Sequence, residues 1–187
     1  IRRQRQMCIR DRAGTYLALI MLLLVSRIGP VERVLGQDGL LRWHRRISPW
    51  PIGLLVLHAI FVVIGYGQAA HLGFVPETLQ QIKTLPDVLA AVVALAIMVA
   101  IGVISIRALR LRLSRETWWA IHLYMYLALA LSFAHALALG PSFVGHPLTR
   151  AIWTFCWLAT AGLVLAYRFG LPLWRSLRHD LRVEWVE

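Results

Sequence analysis

Charge is scarce in this sequence: Asp, Glu, Lys and Arg make up 16% of its 187 residues, against 59% hydrophobic. A water-soluble domain of that length needs a larger polar shell to cover its surface, which excludes an ordinary soluble fold. Cysteine is scarcer still. Cys8 and Cys156 supply neither a disulfide framework nor metal-ligand spacing, and Cys156 lies inside an apolar run, where a thiol packs as a small hydrophobe. A glycine-rich phosphate loop is missing, since Gly65-Tyr66-Gly67 opens no helix at a phosphate site. No catalytic acid, base or nucleophile stands out, and there is no internal repeat, low-complexity tract or soluble second domain. The formal charge of +11 lies between the apolar runs and never forms a basic stripe interleaved with aromatics. Nucleic acid is therefore excluded as a partner, and the lipid bilayer is the expected one.

What is present is apolar and continuous. Five runs succeed one another: Tyr16 to Ile28, Leu40 to Tyr66, Leu89 to Ile106, Trp118 to Leu139 and Leu148 to Tyr167. The first looks short for a span of roughly 20 residues, and the last three are of spanning length. Only helices or closed barrels satisfy their backbone in lipid, and these runs are too long and unbroken for barrel strands. The expected fold class is all-α, a multi-pass transmembrane helix bundle over residues 13–170. Residues 171–187 form a basic tail, read as leading to an absent soluble domain. Residues 1–12, IRRQRQMCIRDR, share no composition with the rest of the chain and are set apart as a non-native, adapter-like segment.

Arginine sets the orientation. The first connection carries Arg27, Arg33, Arg42, Arg45 and Arg46, the third carries Arg107, Arg110, Arg112 and Arg115, and the tail carries Arg168, Arg175, Arg178 and Arg182. Residues 67–85 hold only Lys83, and residues 139–149 hold neither Lys nor Arg. Both basic connections and the C-terminus are expected at the cytoplasmic face of a cell membrane. That topology puts the arginines of residues 1–12 on the outer side, which again sets them apart, and it leaves room for an additional upstream helix.

Ionisable residues inside a membrane are costly and usually functional. His44 and His58 stand 14 residues apart on the second run, and His122 and His135 stand 13 apart on the fourth. Each spacing is roughly 20 Å along a helix axis, about two-thirds of the hydrocarbon thickness. The two runs travel in the same direction, since one helix lies between them. His44 and His122 therefore share an inner level, and His58 and His135 an outer level. Two facing neutral imidazoles can fill both axial positions of a haem iron, so two levels make two b-type haems. Fourteen residues return to within about 40° of one face, but thirteen leave His135 about 140° from His122. The fourth helix is thus expected to contain a 3₁₀ or π irregularity or to tilt widely. Pro49 and Pro51 predict a kink or a fresh start between His44 and His58. Hydrogen bonding between helices is the competing role for these histidines. His71, His146 and His179 fall in connections or the tail and read as surface residues.

The stretches GQDGLLRWHRR, LLVLHAI, SRETWWAIHLYMYLALALSFAHAL and YRFGLPLWRSLRHDLRV resemble the ferric reductase-like transmembrane family, which includes NADPH oxidases and iron reductases. The 14 and 13 spacings agree with the oxidase branch, and the overall look is that of bacterial members with a ferredoxin-reductase-like module. The resemblance implies a six-helix di-haem core with ligands on the third and fifth helices, of which helices two to six would be visible here. It carries haem-iron ligation to His44, His58, His122 and His135. It also implies FAD and NAD(P)H on a cytosolic reductase domain or subunit downstream, so the chain alone is not expected to turn over NAD(P)H.

Arg45 and Arg46, beside His44, could pair with haem propionates or act as positive-inside anchors. Trp118, Trp119, Tyr124 and Tyr126 could line the haem faces or anchor the interface. His146-Pro147-Leu148-Thr149 resembles a flavin-binding segment but sits on the outer side, and Pro147 reads better as a first-turn helix proline. The implied function is transmembrane electron transfer from a cytosolic flavin to ferric iron or oxygen outside. Two alternatives remain: a standalone haem subunit fed by quinol or a partner reductase, as in the membrane subunits linked to methionine sulfoxide reductase, and a histidine-based proton or metal transporter.

Overall fold

The fold is seen in a computed structural model that describes residues 2–141 and 143–179, with side chains over residues 13–178 other than Ser142. The side chains of residues 1–12 and the tail from residue 180 onward lie outside the described residues, and with them most of what sets those segments apart. In chain order the elements are α1 (Arg2–Val25), α2 (Gly29–Leu35), α3 (Gln37–Ile47), α4 (Pro49–Ala70), α5 (Phe74–Thr84), α6 (Val88–Ile104), α7 (Arg107–Arg110), α8 (Arg115–Leu139), α9 (Pro147–Val164), a π-helical segment (Leu165–Gly170) and α10 (Leu171–His179). No strand occurs among the described residues. The protein is an all-α membrane helix bundle.

Three stretches are long and apolar enough to cross a membrane: Gln37–Ala70, Arg115–Leu139 and Pro147–Arg178. A fourth is the pair Ala13–Val25 and Gly29–Leu35, bent by 86°. The bend falls where Ser26, fully buried, donates its hydroxyl to the Leu23 carbonyl at 2.7 Å and Arg27 takes a left-handed backbone at φ 57°. A side chain that bonds its own preceding turn competes with the helix ladder. Val88–Ile104 is also apolar but only 17 residues long, about 25 Å and at the short end of what spans a bilayer.

The second run breaks at Ser48. Its N–H still donates to the His44 carbonyl at 2.9 Å, but Pro49 has no N–H to continue the ladder, and α4 begins there. Pro147 stands in the first turn of α9, as a first-turn proline should. Two features differ from the sequence reading. The fourth run is an unbroken α-helix, and the π-helical turn lies in the last run, at Leu165–Gly170. The arginine-poor connection, for which the sequence gives only the low charge, contains α5, which buries Glu77 and Gln81 and turns Phe74, Val75 and Leu79 outward. Gln81 Nε2 donates to Glu77 Oε1 at 2.8 Å inside that helix.

The core is formed by Ala18, Leu19 and Leu22 of α1, Ala94 and Met98 of α6, Ala128, Leu129 and Ala136 of α8, and Trp153, Trp157 and Val164 of α9. Ala94 and Ala128 are almost wholly buried, and α6 lies along α8. Small residues at a crossing let two backbones approach closely, which is how membrane helices gain packing energy. On α9 the inward positions Trp153, Trp157, Thr160 and Val164 follow helical spacing, while Ile152, Phe155 and Leu158 face outward. Phe143, in the α8–α9 connection, stacks on Trp153 at 6.0 Å between ring centres.

Gly140 ends α8 against that connection. A Cβ there would collide with the Ala136 carbonyl oxygen and approach the Phe143 ring to 2.7 Å. Gly140→Ala is expected to cost about 1–3 kcal/mol through displacement of the Phe143–Trp153 stack. The check is the thermal unfolding midpoint in detergent, and an unchanged midpoint would show that the connection relaxes freely around residue 140.

Candidate functional site

The four paired histidines sit on the two elements of the bundle that do not pack on one another. α1 lies along α3 and α4, and α6 lies along α8 while also touching α4. No comparable run of close approach joins α3–α4 to α8. The two histidine-bearing stretches meet through side chains at His44 and His122, with α1 packed along α3–α4 and α6 along α8.

His44 is in the last turn of α3, ahead of the proline break. His122 is two turns into α8, whose start is fixed by Ser114: its hydroxyl accepts the Thr117 N–H at 3.1 Å and lies 2.8 Å from the Thr117 hydroxyl. Such a cap satisfies one of the orphan donors at a helix start and is typically worth about 1 kcal/mol. The structure brings His44 and His122 together, with ring centres 6.4 Å apart and planes at 71°. His58 lies in the middle of α4 and His135 near the end of α8, both half-buried. The unbroken backbone of α8 leaves the rotational offset of about 140° between His122 and His135 in place.

Trp118, one turn before His122 on the same face of α8, stacks on its ring at 4.8 Å with planes at 26°. The Trp118 indole N–H donates to Ser105 Oγ at 3.3 Å, and the Arg110 guanidinium lies 4.6 Å over the Trp118 ring. Arg110 also donates to the Leu113 carbonyl at 3.3 Å. From the other side of the sequence, Arg168 donates to the Val25 carbonyl at 3.1 Å, closing the open C-terminus of α1. In the sequence these three residues are legible only as anchors or positive-inside charge, although the i, i+4 relation of Trp118 to His122 is visible there.

Arg45 and Arg46 are exposed on α3, as are Trp119 and Tyr124 on α8, while Tyr126 packs against the core. His71 is the left-handed cap of α4 and His146 precedes α9, both exposed. The His179 side chain lies outside the described residues.

Chemically, the first-level pair offers two imidazoles from different helices. His44, His58 and His122 each bury Nδ1 with no hydrogen-bond partner among the described residues. A buried polar atom without a partner costs about 1–3 kcal/mol, a cost that a group bonded at that atom would relieve. Metal–nitrogen bonds of about 2 Å on either side of one ion put two imidazole centres about 6 Å apart, close to the spacing found. Among the described residues no three His, Cys, Asp or Glu side chains converge on one point, so histidine pairs are the ligand sets on offer. Pairs are what an iron already held by four porphyrin nitrogens requires. The residues fit a haem at this level.

A membrane helix bundle with a histidine pair between helices is a frame for electron transfer within the bilayer. The ferric reductase like transmembrane component family matches residues 11–133, well over half of the chain, and the chain belongs to that family. The match takes in His44, His58 and His122 and stops two residues short of His135. Comparison with curated proteins and with solved structures gives no match.

Trp118→Leu removes the stack on His122, the bond to Ser105 and the seat of Arg110 together. It is expected to lower stability by about 2–3 kcal/mol, whereas Trp118→Phe, which keeps the stack, should lose about 1 kcal/mol. Unfolding midpoints in detergent separate the two, and equal midpoints for wild type and Trp118→Leu would show the stack to be dispensable.

Proposed function

We propose that the chain carries electrons across a cell membrane through two b-type haems, one held by His44 and His122, the other by His58 and His135. The observation that carries the reading is the first-level pair: two rings from separate helices, 6.4 Å apart, each with a buried nitrogen that no described residue satisfies. Family membership supports it.

Bound at both levels, the haems supply one-electron redox centres that relay charge from one face of the bilayer to the other. The protein's own residues hold and insulate them. His44 with His122, and His58 with His135, would hold the iron through neutral imidazole nitrogens, and with both sites on the iron so filled the terminal acceptor, ferric iron or oxygen, would react at the edge of the group. α1 and α6 contribute Ala, Leu and Met side chains to the apolar core beside these helices. The arginine-rich connections and the C-terminus face the cytoplasm, where an FAD- and NAD(P)H-binding reductase domain or subunit donates the electron. With the interior negative, outward movement of one electron gains up to about 2.3 kcal/mol per 100 mV.

The full chain expressed in membranes is expected to show sharp b-type bands in the dithionite-reduced minus oxidised spectrum, with a pyridine-haem count of two per chain. His44→Ala or His122→Ala should remove one haem, and His58→Ala or His135→Ala the other, while His71→Ala and His146→Ala keep both. A well-folded but colourless protein would overturn the reading and assign the histidines to proton or metal relay, tested as flux in liposomes.

A further inference from the structure

We infer that α5 is an interfacial helix, seated in the headgroup boundary of the bilayer at the end of α4 remote from His44, with Val75 and Leu79 against acyl chains and Gln80 and Thr84 in water. Such a seat in lipid is independent of whether haem is bound.

At about 100° per residue, α5 divides into three sectors. Glu77 and Gln81 fall together, buried and joined by their hydrogen bond, on a helix that lies against both α4 and α6. Gly67 of α4 leaves room for them, since a Cβ there would stand 3.7 Å from Cβ and Cγ of Glu77. Phe74, Val75, Thr78, Leu79 and Ile82 share the adjoining apolar arc, in which Phe74 is 52%, Val75 66% and Leu79 52% exposed. Pro76, Gln80 and Thr84 take the remaining arc, with Lys83 on its border with the apolar one. A helix on the surface of a protein in water buries its apolar face and shows its polar one. Here the buried sector is polar, and the open side needs an apolar and an aqueous environment next to each other. The edge of a bilayer supplies both.

The hydroxyl within the apolar arc is already used, because Thr78 Oγ1 donates to the Phe74 carbonyl at 2.8 Å. The arc therefore presents acyl chains with no free hydroxyl donor. Lys83 is the one cation of residues 67–85, and from the border its stem can lie along apolar side chains while the ammonium reaches headgroups or water. A cleft of about 430 Å³, lined in part by Val63, Ile64, Leu72 and Phe74, joins the apolar arc to the exposed side of α4, so the surface offered to lipid continues from a spanning helix onto α5. Depth agrees. The 22 residues of α4, about 33 Å, cover a hydrocarbon layer of about 30 Å, whereas the 17 of α6 reach about 25 Å. α5 ends at Thr84 and Val88 opens α6 just beyond it, which sets that end about 5 Å inside the edge of the layer, within the depth to which interfacial helices bury their apolar face.

The test is nitroxide accessibility in the full chain reconstituted into phosphatidylcholine vesicles. Val75→Cys, Leu79→Cys, Gln80→Cys and Thr84→Cys are spin-labelled, and the signal of the parent chain's own cysteines, labelled alone, is subtracted. Collisions with oxygen, which concentrates among acyl chains, are compared with collisions with a water-soluble nickel chelate. Leu158→Cys, on the exposed face of a spanning helix, and His146→Cys, in a connection, give the two references. The ratio of oxygen to chelate collisions should be several-fold higher at positions 75 and 79 than at 80 and 84, the first pair approaching Leu158→Cys and the second His146→Cys. Free access of the chelate to all four positions would overturn the seat and put α5 in water. Labels at 75 and 79 shielded from both reagents would overturn it as well, giving that face to a protein partner or a second copy of the chain. A ratio like that of Leu158→Cys at all four would also overturn it, by sinking α5 wholly into the acyl layer.

Discussion

A polar atom placed between apolar helices must find its partner inside the protein, because lipid offers none. The backbone meets this demand by coiling, and most of the described chain is helix, with Ser48 and Arg27 among the places where the ladder is interrupted. Side chains meet it less completely. The buried Nδ1 atoms of His44, His58 and His122 stand without hydrogen-bond partners among the described residues. Close packing of α6 on α8 through Ala94 and Ala128 holds one histidine-bearing stretch, and α1 against α3 and α4 holds the other.

The same demand turns the usual distribution of side chains inside out. α9 shows Ile152, Phe155 and Leu158 to the exterior and keeps Thr160 within, and α5 hides Glu77 and Gln81 beneath Phe74, Val75 and Leu79. In water both helices would be packed the wrong way round. The hydrogen bond from Gln81 satisfies one carboxylate oxygen of the buried Glu77 and leaves Oε2 without a partner among the described residues. Aromatic contacts then supply much of the specificity at the turns: Phe143 on Trp153, Tyr16 edge-on to Trp153 at 4.6 Å, and Phe133 against Trp157 at 4.8 Å.

Much of this is written plainly in the residues. Hydropathy alone outlines all five apolar runs, the prolines at 49 and 51 mark the break in the second, and spacing plus direction place His44 beside His122. What escapes the sequence depends on neighbours. The 86° bend after Val25 rests on a buried serine hydroxyl and a left-handed arginine, neither of which a short polar stretch announces. α5 is hidden because Glu77 and Gln81 read as solvent-facing until something packs over them. Of the irregularity or wide tilt expected for the fourth run, the irregularity is absent, and a π turn lies in the last run, in the segment from which Arg168 reaches the end of α1. Arg110 and Arg168 are indistinguishable, in sequence, from other arginines that mark the basic face.

The break at Ser48 has a consequence for how the two levels are aligned. His44 and His58 belong to separate helical segments joined at a proline, so each can be aimed with some independence of the other. His122 and His135 share one rigid rod, where inserting a single residue would turn the second ring by about 100° and lift it about 1.5 Å. One histidine-bearing stretch thus behaves as a fixed ruler and the other as an adjustable one. Drift in length or twist among descendants of this chain should accumulate around residues 47–51, while the stretch between His122 and His135 keeps its count.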